Sequence, residues 1–152
     1  MTTIRSYMST VSWLQAALRP GSCRDRTAVG PGLGVVDEFS TDGHLISRIA
    51  SGGALNAPWG LAIAPSSWGS AAGSLLVGNF GDGRINILAK HGGHFASRVT
   101  GQVQDASTGK PFTEPGLWSL LPGTAATGGT DALWFTAGIN DEQNGLLGVL
   151  RP

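Results

Sequence analysis

One phrase occurs twice in this chain, and it narrows the folds open to it. The first copy is Ala57-Pro58-Trp59-Gly60-Leu61-Ala62-Ile63-Ala64, followed after a loop by Leu75-Leu76-Val77-Gly78-Asn79-Phe80-Gly81-Asp82-Gly83-Arg84-Ile85-Asn86. The second is Glu114-Pro115-Gly116-Leu117-Trp118-Ser119-Leu120-Leu121, then Leu133-Trp134-Phe135-Thr136-Ala137-Gly138-Ile139-Asn140-Asp141. Trp118 lies 59 residues after Trp59, Trp134 lies 58 after Leu76, and Ile85 lies 49 after Val36. A period of roughly 50–60 residues with several short strands per unit belongs to propellers and solenoid arrays rather than to a single-core domain.

Composition agrees with many short strands. The 24 glycines among 152 residues are more than twice the ordinary ~7%, and glycine weakens helices while serving tight turns. Ten basic and ten acidic side chains cancel, which leaves no electrostatic case for nucleic acid or an anionic membrane. No stretch reaches the ~18 apolar residues of a membrane span. The single cysteine, Cys23, excludes an internal disulfide framework and a CxxC metal knuckle.

Along the chain, residues 1–31 read as a separate segment. Ser9 or Thr10 would cap a short helix reaching Leu18, with Met8, Val11, Leu14 and Leu18 on one face, ended by Pro20-Gly21 and followed by a polar linker. From Gly32 the alternation takes strand period. Strands are expected over 34–39 and 44–49 about the turn Thr41-Asp42-Gly43, then over 60–64, 75–79, 84–89 and 94–99, then over 117–121, 132–137 and 146–150. The expected fold is all-β, an incomplete β-propeller of about two to two and a half four-stranded antiparallel blades over 32–152. It comprises a half blade (33–50), a full blade (57–99) and a partial blade (115–150), preceded by a short helix or disordered segment. An insertion is expected in the crossing over 102–111.

Pro58-x-Gly60-Leu61-Ala62, Leu75-Leu76-Val77-x-Asn79, Gly83-Arg84-Ile85-Asn86-Ile87 and Gly92-Gly93 resemble the NHL-type propeller repeat. The longer phrases over 55–65, 76–83 and 135–142 resemble the C-terminal part of a bacterial family of NHL-like six-bladed propellers, mostly exported, some with a surface-sorting tail. That resemblance implies a ring of about 300 residues at roughly 50 per blade. The chain would then be a fragment, or several chains would complete the ring. It implies no enzyme activity and no catalytic residues. Open blade faces and edges would favour self-association.

Chemistry-bearing residues are few. Asn79 and Asp82, with Asn140 and Asp141, fall at strand ends on one side of the expected ring, where converging oxygens can bind calcium. The same residue types beside glycine also form turns, and their repetition in each blade favours the turn role. His91 and His94 flank a glycine turn, and His44 occupies the matching place one repeat earlier; three histidines make a poor zinc set. Trp59 and Trp118 fit packing between blades, while Trp68, in a Ser/Gly-rich loop, is the candidate for an exposed aromatic contact. The leading expectation is a non-enzymatic scaffold binding a protein or glycan, with no cofactor. The alternative is the remnant of a metal-dependent lactonase-like or hydrolase-like propeller.

Overall fold

The computed structural model describes Ile4–Tyr7, Ser12–Ala17 and residues 29–152. It is all-β: consecutive antiparallel meanders form three sheets, and none closes on itself. The first sheet runs β1 (Ile4–Tyr7), β2 (Ser12–Ala17), β3 (Val35–Ser40), β4 (Leu45–Ser51) in that order. The second contains β5 (Pro58–Ile63), β6 (Leu75–Asn79), β7 (Ile85–Leu88) and β10 (Gly101–Gln102). The third contains β13 (Leu117–Pro122), β14 (Leu133–Gly138) and β15 (Asn144–Leu150). Two small hairpins decorate the connections: β8 (Lys90–His91) with β9 (His94–Phe95), and β11 (Gln104–Asp105) with β12 (Lys110–Pro111).

Two expectations need correction. The helix expected before residue 18 is not formed: Ser12–Ala17 is a strand, paired antiparallel with β3 along its whole length. An open β3 edge offers this segment a full ladder of backbone hydrogen bonds, which an isolated short helix cannot match in water. Its proposed caps, Ser9 and Thr10, and the cysteine Cys23 lie outside the described residues. The fourth strand of the middle sheet is not 94–99 either. Residues 101–102 pair with β7, extended by Thr100 N–H to Ile87 O (2.8 Å) and Val103 N–H to Ile85 O (2.9 Å). The crossing over 102–111 thus begins as an edge strand and continues as the β11–β12 hairpin.

The doubled phrase is a structural repeat. Pro58 pairs with Asn79 and Gly60 with Gly78, leaving Trp59 as an extra residue in the ladder. Leu117 pairs with Ala137 and Ser119 with Thr136, leaving Trp118 in the same position. A bulge accommodates one unpaired residue and sharpens the local twist. Just before each strand the backbone turns left-handed, at Ala57 (φ 49°) and at Gly116 (φ 71°). The carbonyl of each turning residue accepts the matching bond, Phe80 N–H to Ala57 O (2.9 Å) and Gly138 N–H to Gly116 O (2.8 Å).

Period-two alternation explains the stacking, since successive strand residues point to opposite faces. On one face of the middle sheet, Leu61, Leu75, Val77 and Leu88 pack with Val36, Ile49 and Ala50 of the first sheet. On the other, Ala62, Leu76 and Ile85 pack with Leu117, Leu120, Leu133 and Phe135 of the third. Gly60 and Gly78 let β13 come close: a Cβ at Gly60 would lie 2.9 Å from the Trp118 carbonyl oxygen and 3.1 Å from the Leu120 nitrogen. Backbone cannot yield as a side-chain tip can, so Gly60→Val should force the sheets apart and cost about 1–3 kcal/mol, read as a lower midpoint in urea.

The two left-handed positions should respond asymmetrically. At Gly116 a Cβ would meet the Gly138 oxygen at 2.1 Å. Gly116→Ala should therefore cost at least the ~1–2 kcal/mol of left-handed strain. Ala57→Gly relieves similar strain but gives up a buried methyl worth about 0.8 kcal/mol, so it should be nearly neutral in the same denaturation experiment.

Candidate functional site

The sequence candidates do not gather into one site. Asn79 ends β6 with its side chain fully buried. Its Nδ2 donates to the Ala54 carbonyl (2.8 Å) and to Asp82 Oδ1 (3.0 Å). Two acceptors on that nitrogen fix the amide orientation and leave the buried Asn79 Oδ1 without a protein partner. Asp82 Oδ1 also accepts from Arg84 N–H (3.2 Å), closing the turn into β7. In the second repeat, Asn140 Nδ2 donates to Asn144 Oδ1 (3.0 Å) and Asp141 is exposed. Both lie in the short turn Ile139–Glu142, with φ of 54° at Asn140 and at Asp141 and 65° at Glu142. Asn and Asp tolerate this left-handed region better than other residues with a Cβ.

The ladders also correct the pairing of Asn79 with Asn140. Pro58 opposes Asn79, and the equivalent Leu117 opposes Ala137. An alanine therefore occupies the place of Asn79 in the third sheet. Asn79 belongs instead to a buried amide cluster that sequence reasoning missed. Asn86 is fully buried and donates from Nδ2 to the same Ala54 carbonyl (3.3 Å), while its Oδ1 accepts from Gln102 Nε2 (2.9 Å). Asn56, also buried, accepts the Gly30 N–H at 2.7 Å on Oδ1, and its carbonyl accepts the Gly81 N–H. The three amides pin the connection between the first two sheets. Asn86 carried a visible signal, being the one polar residue in the strand Ile85-Asn86-Ile87-Leu88.

Trp59 is half-buried and tilts against Phe80 at 5.9 Å between ring centroids, and Trp118 lies over Gly138. Each bulged tryptophan thus covers the turn of its own sheet. His91 and His94 oppose each other at an exposed hairpin tip, and His44 is exposed beside Asp42. Among the described residues, no three His, Cys, Asp or Glu side chains come together as a metal set, and no helix is long and apolar enough to cross a membrane.

Trp68 is half-buried, and its Nε1–H donates to the Asp131 carbonyl (2.8 Å). One wall of a groove of about 210 Å³ is Trp68, with Ile87, Gln102, Gln104, Leu150 and Arg151 around it. Arg151 holds the opposite side in place, donating from one guanidinium nitrogen to both Asp131 carboxylate oxygens (2.7 Å each) and from another to the Gly128 carbonyl. The Arg151 hydrogen bond holds the Asp131 carboxyl below its ordinary range, helped by a backbone hydrogen bond. The groove therefore joins an indole face to the Gln104 amide and a guanidinium at the seam of the second and third sheets.

The class defined to this point is an all-β stack of antiparallel meanders built on a repeat. No family model and no solved structure matches the chain. The chain is similar to three uncharacterized proteins of Acanthamoeba polyphaga mimivirus. Protein L690 is 40% identical over 122 residues, covering 79% of the chain and 30% of that protein. Protein R648 is 37% identical over 121 residues, covering 80% of the chain and 28% of the relative. Protein R640 is 49% identical over 63 residues, covering 41% and 12% respectively. The chain spans less than a third of the length of these relatives. This similarity is to viral proteins, and it overturns the resemblance to a bacterial NHL-like family. The phrases behind that resemblance encode a bulge, a left-handed turn and alternating strands in this fold.

Two outcomes test this geometry. Asn79→Ala or Asn86→Ala strips one of the two donors from the Ala54 carbonyl and should cost about 0.5–1.5 kcal/mol, checked by urea denaturation. Because the folded Asp131 pKa is lowered, its contribution is present above the ordinary carboxylate range and is lost as pH falls through the folded value. The Arg151 side of the groove should therefore hold until the pH falls below the ordinary carboxylate range and then release, seen as a change in Trp68 emission that is absent in Asp131→Asn, with Trp68→Phe as the control.

Proposed function

We propose that the chain is part of a non-enzymatic binding scaffold, an incomplete β-propeller whose successive sheets act as blades and whose ligand contact is the Trp68 groove. The observation that carries the binding role is the groove itself. It offers an aromatic face, the Gln104 amide and a guanidinium at one rim. Sugar rings are recognised by such combinations, with stacking on an indole and hydrogen bonds to amides. A volume of about 210 Å³ suits one sugar unit or one side chain of a peptide. A glycan or a protein segment is therefore the ligand class.

The blade reading is supported by the repeated bulge and turn at Trp59 and Trp118 and by face-to-face stacking of meanders whose strands follow chain order. Radial repetition of such sheets is the propeller pattern. The role as a scaffold is supported by where the polar groups go: Asn79, Asn86 and Asp82 hold backbone and turns within the fold.

Glycan and peptide arrays probed with the folded chain test the proposal. Binding that falls at least tenfold in Trp68→Ala, with the circular dichroism spectrum unchanged, is the expected result. The opposing outcome is turnover of a lactone or ester panel in millimolar calcium that is abolished by Asn79→Ala. That would replace the scaffold with the metal-dependent hydrolase, using the unpartnered Asn79 Oδ1 as a calcium ligand.

A further inference from the structure

The hairpin of β8 and β9 brings two of the chain's three histidines onto one face. His91 and His94 stand directly opposite each other in the ladder, joined by Gly92-Gly93. Both glycines have positive φ, 55° and 91°, as the type I′ turn of a two-residue hairpin requires. Residues directly opposite in an antiparallel pair carry their Cβ atoms about 4.5–5.5 Å apart on the same face. Imidazole nitrogens bind a metal at about 2.0 Å, so two rings set at that spacing can converge on one ion.

What lies beneath the hairpin decides which face the pair occupies. Phe95 packs against the core shared by the first two sheets. Lys90, its opposite in the ladder, holds its ammonium 6.0 Å from the centroid of the Phe95 ring. Successive strand residues point to opposite faces, so His91 and His94 are turned away from that core, and both are exposed. The root of the hairpin is tied down as well. Ala96 N–H donates to the Ala89 carbonyl (2.8 Å), and Ala89 N–H donates to Thr100 Oγ1 (3.1 Å). A Cβ at Gly92 or Gly93 would meet nothing within 4 Å, so the turn leaves the approach to the pair open. Donors on a backbone that is already set lose less freedom on binding than donors that must first be ordered. His44 lies at the β3–β4 turn beside Asp42 and takes no part.

We propose that His91 and His94 form a two-imidazole site for copper(II). Among divalent first-row ions at nitrogen sites, copper(II) binds most tightly, and it favours a tetragonal arrangement. The imidazoles fill two adjacent corners, and the remaining positions are open to water or an added ligand. Among the described residues no third His, Cys, Asp or Glu joins them. The site is therefore exchangeable, unlike the closed four-ligand centre that structural zinc takes. It involves neither the Trp68 groove nor the buried amides, so it stands or falls apart from the binding scaffold proposed above.

Titration of copper(II) chloride into the full chain provides the test, in a Cys23→Ser background that removes the competing thiol. Binding of one ion per chain is expected, with a paramagnetic resonance spectrum showing coupling to two imidazole nitrogens. His91→Ala and His94→Ala should each weaken binding at least tenfold with circular dichroism unchanged, and His44→Ala should leave it as it was. The double variant Lys90→His/His91→Ala keeps two histidines in the hairpin but sets them on opposite faces. It should bind no better than His91→Ala. Copper binding that survives both single alanine variants at the hairpin, or returns in the double variant, would overturn the site. So would the absence of binding at millimolar copper.

Discussion

The stack depends on the missing side chains at Gly60 and Gly78. They sit opposite each other on one face of the middle sheet, and β13 lies directly against them. With no Cβ in the way, Leu117 and Leu120 reach into the sheet and close a core with Ala62, Leu76 and Ile85. Dispersion falls steeply with separation, so a gap of even half an ångström would forfeit much of that contact. The bulged Trp118 follows from the same approach, because its carbonyl is the atom nearest Gly60.

A second constraint acts at the other face. The connection from β4 to β5 crosses between sheets and must find partners for its backbone away from water. Asn79 and Asn86 supply two donors to the Ala54 carbonyl, and Asn56 supplies an acceptor for Gly30. Buried amides are expensive unless paired, and among the described residues Asn79 Oδ1 is the one buried side-chain polar atom left without a partner. The Asn79 that looks like a calcium ligand in the sequence thus ties the loop between the first two sheets to the middle sheet.

Much of this was legible from residue order. The Asp42-Gly43 turn marked the β3–β4 hairpin of the first sheet, and strand period with the doubled phrase marked the main strands of the second and third. Glycine content pointed away from helices. The N-terminal strand was not legible: Met8, Val11, Leu14 and Leu18 fit helical spacing, and only the open edge of β3 decides between the two ladders. The short β10 was missed because a two-residue strand carries no periodicity, and its pairing is fixed by β7. Trp68 was singled out for exposure, yet its indole nitrogen is tied to Asp131, 63 residues away. No local rule contains that bond.

By itself the sequence determined that the chain is a repeat of short antiparallel strands, because alternation and turn chemistry are local properties of neighbouring residues. Ladder register bears out the equivalence that the 58-residue spacing of Leu76 and Trp134 implies: Asn79 answers to Ala137 and not to Asn140. Tertiary structure alone decided that Asn86 clamps a loop and that Trp68 walls a groove. Those roles depend on contacts between sheets, and such contacts exist only once the faces have met.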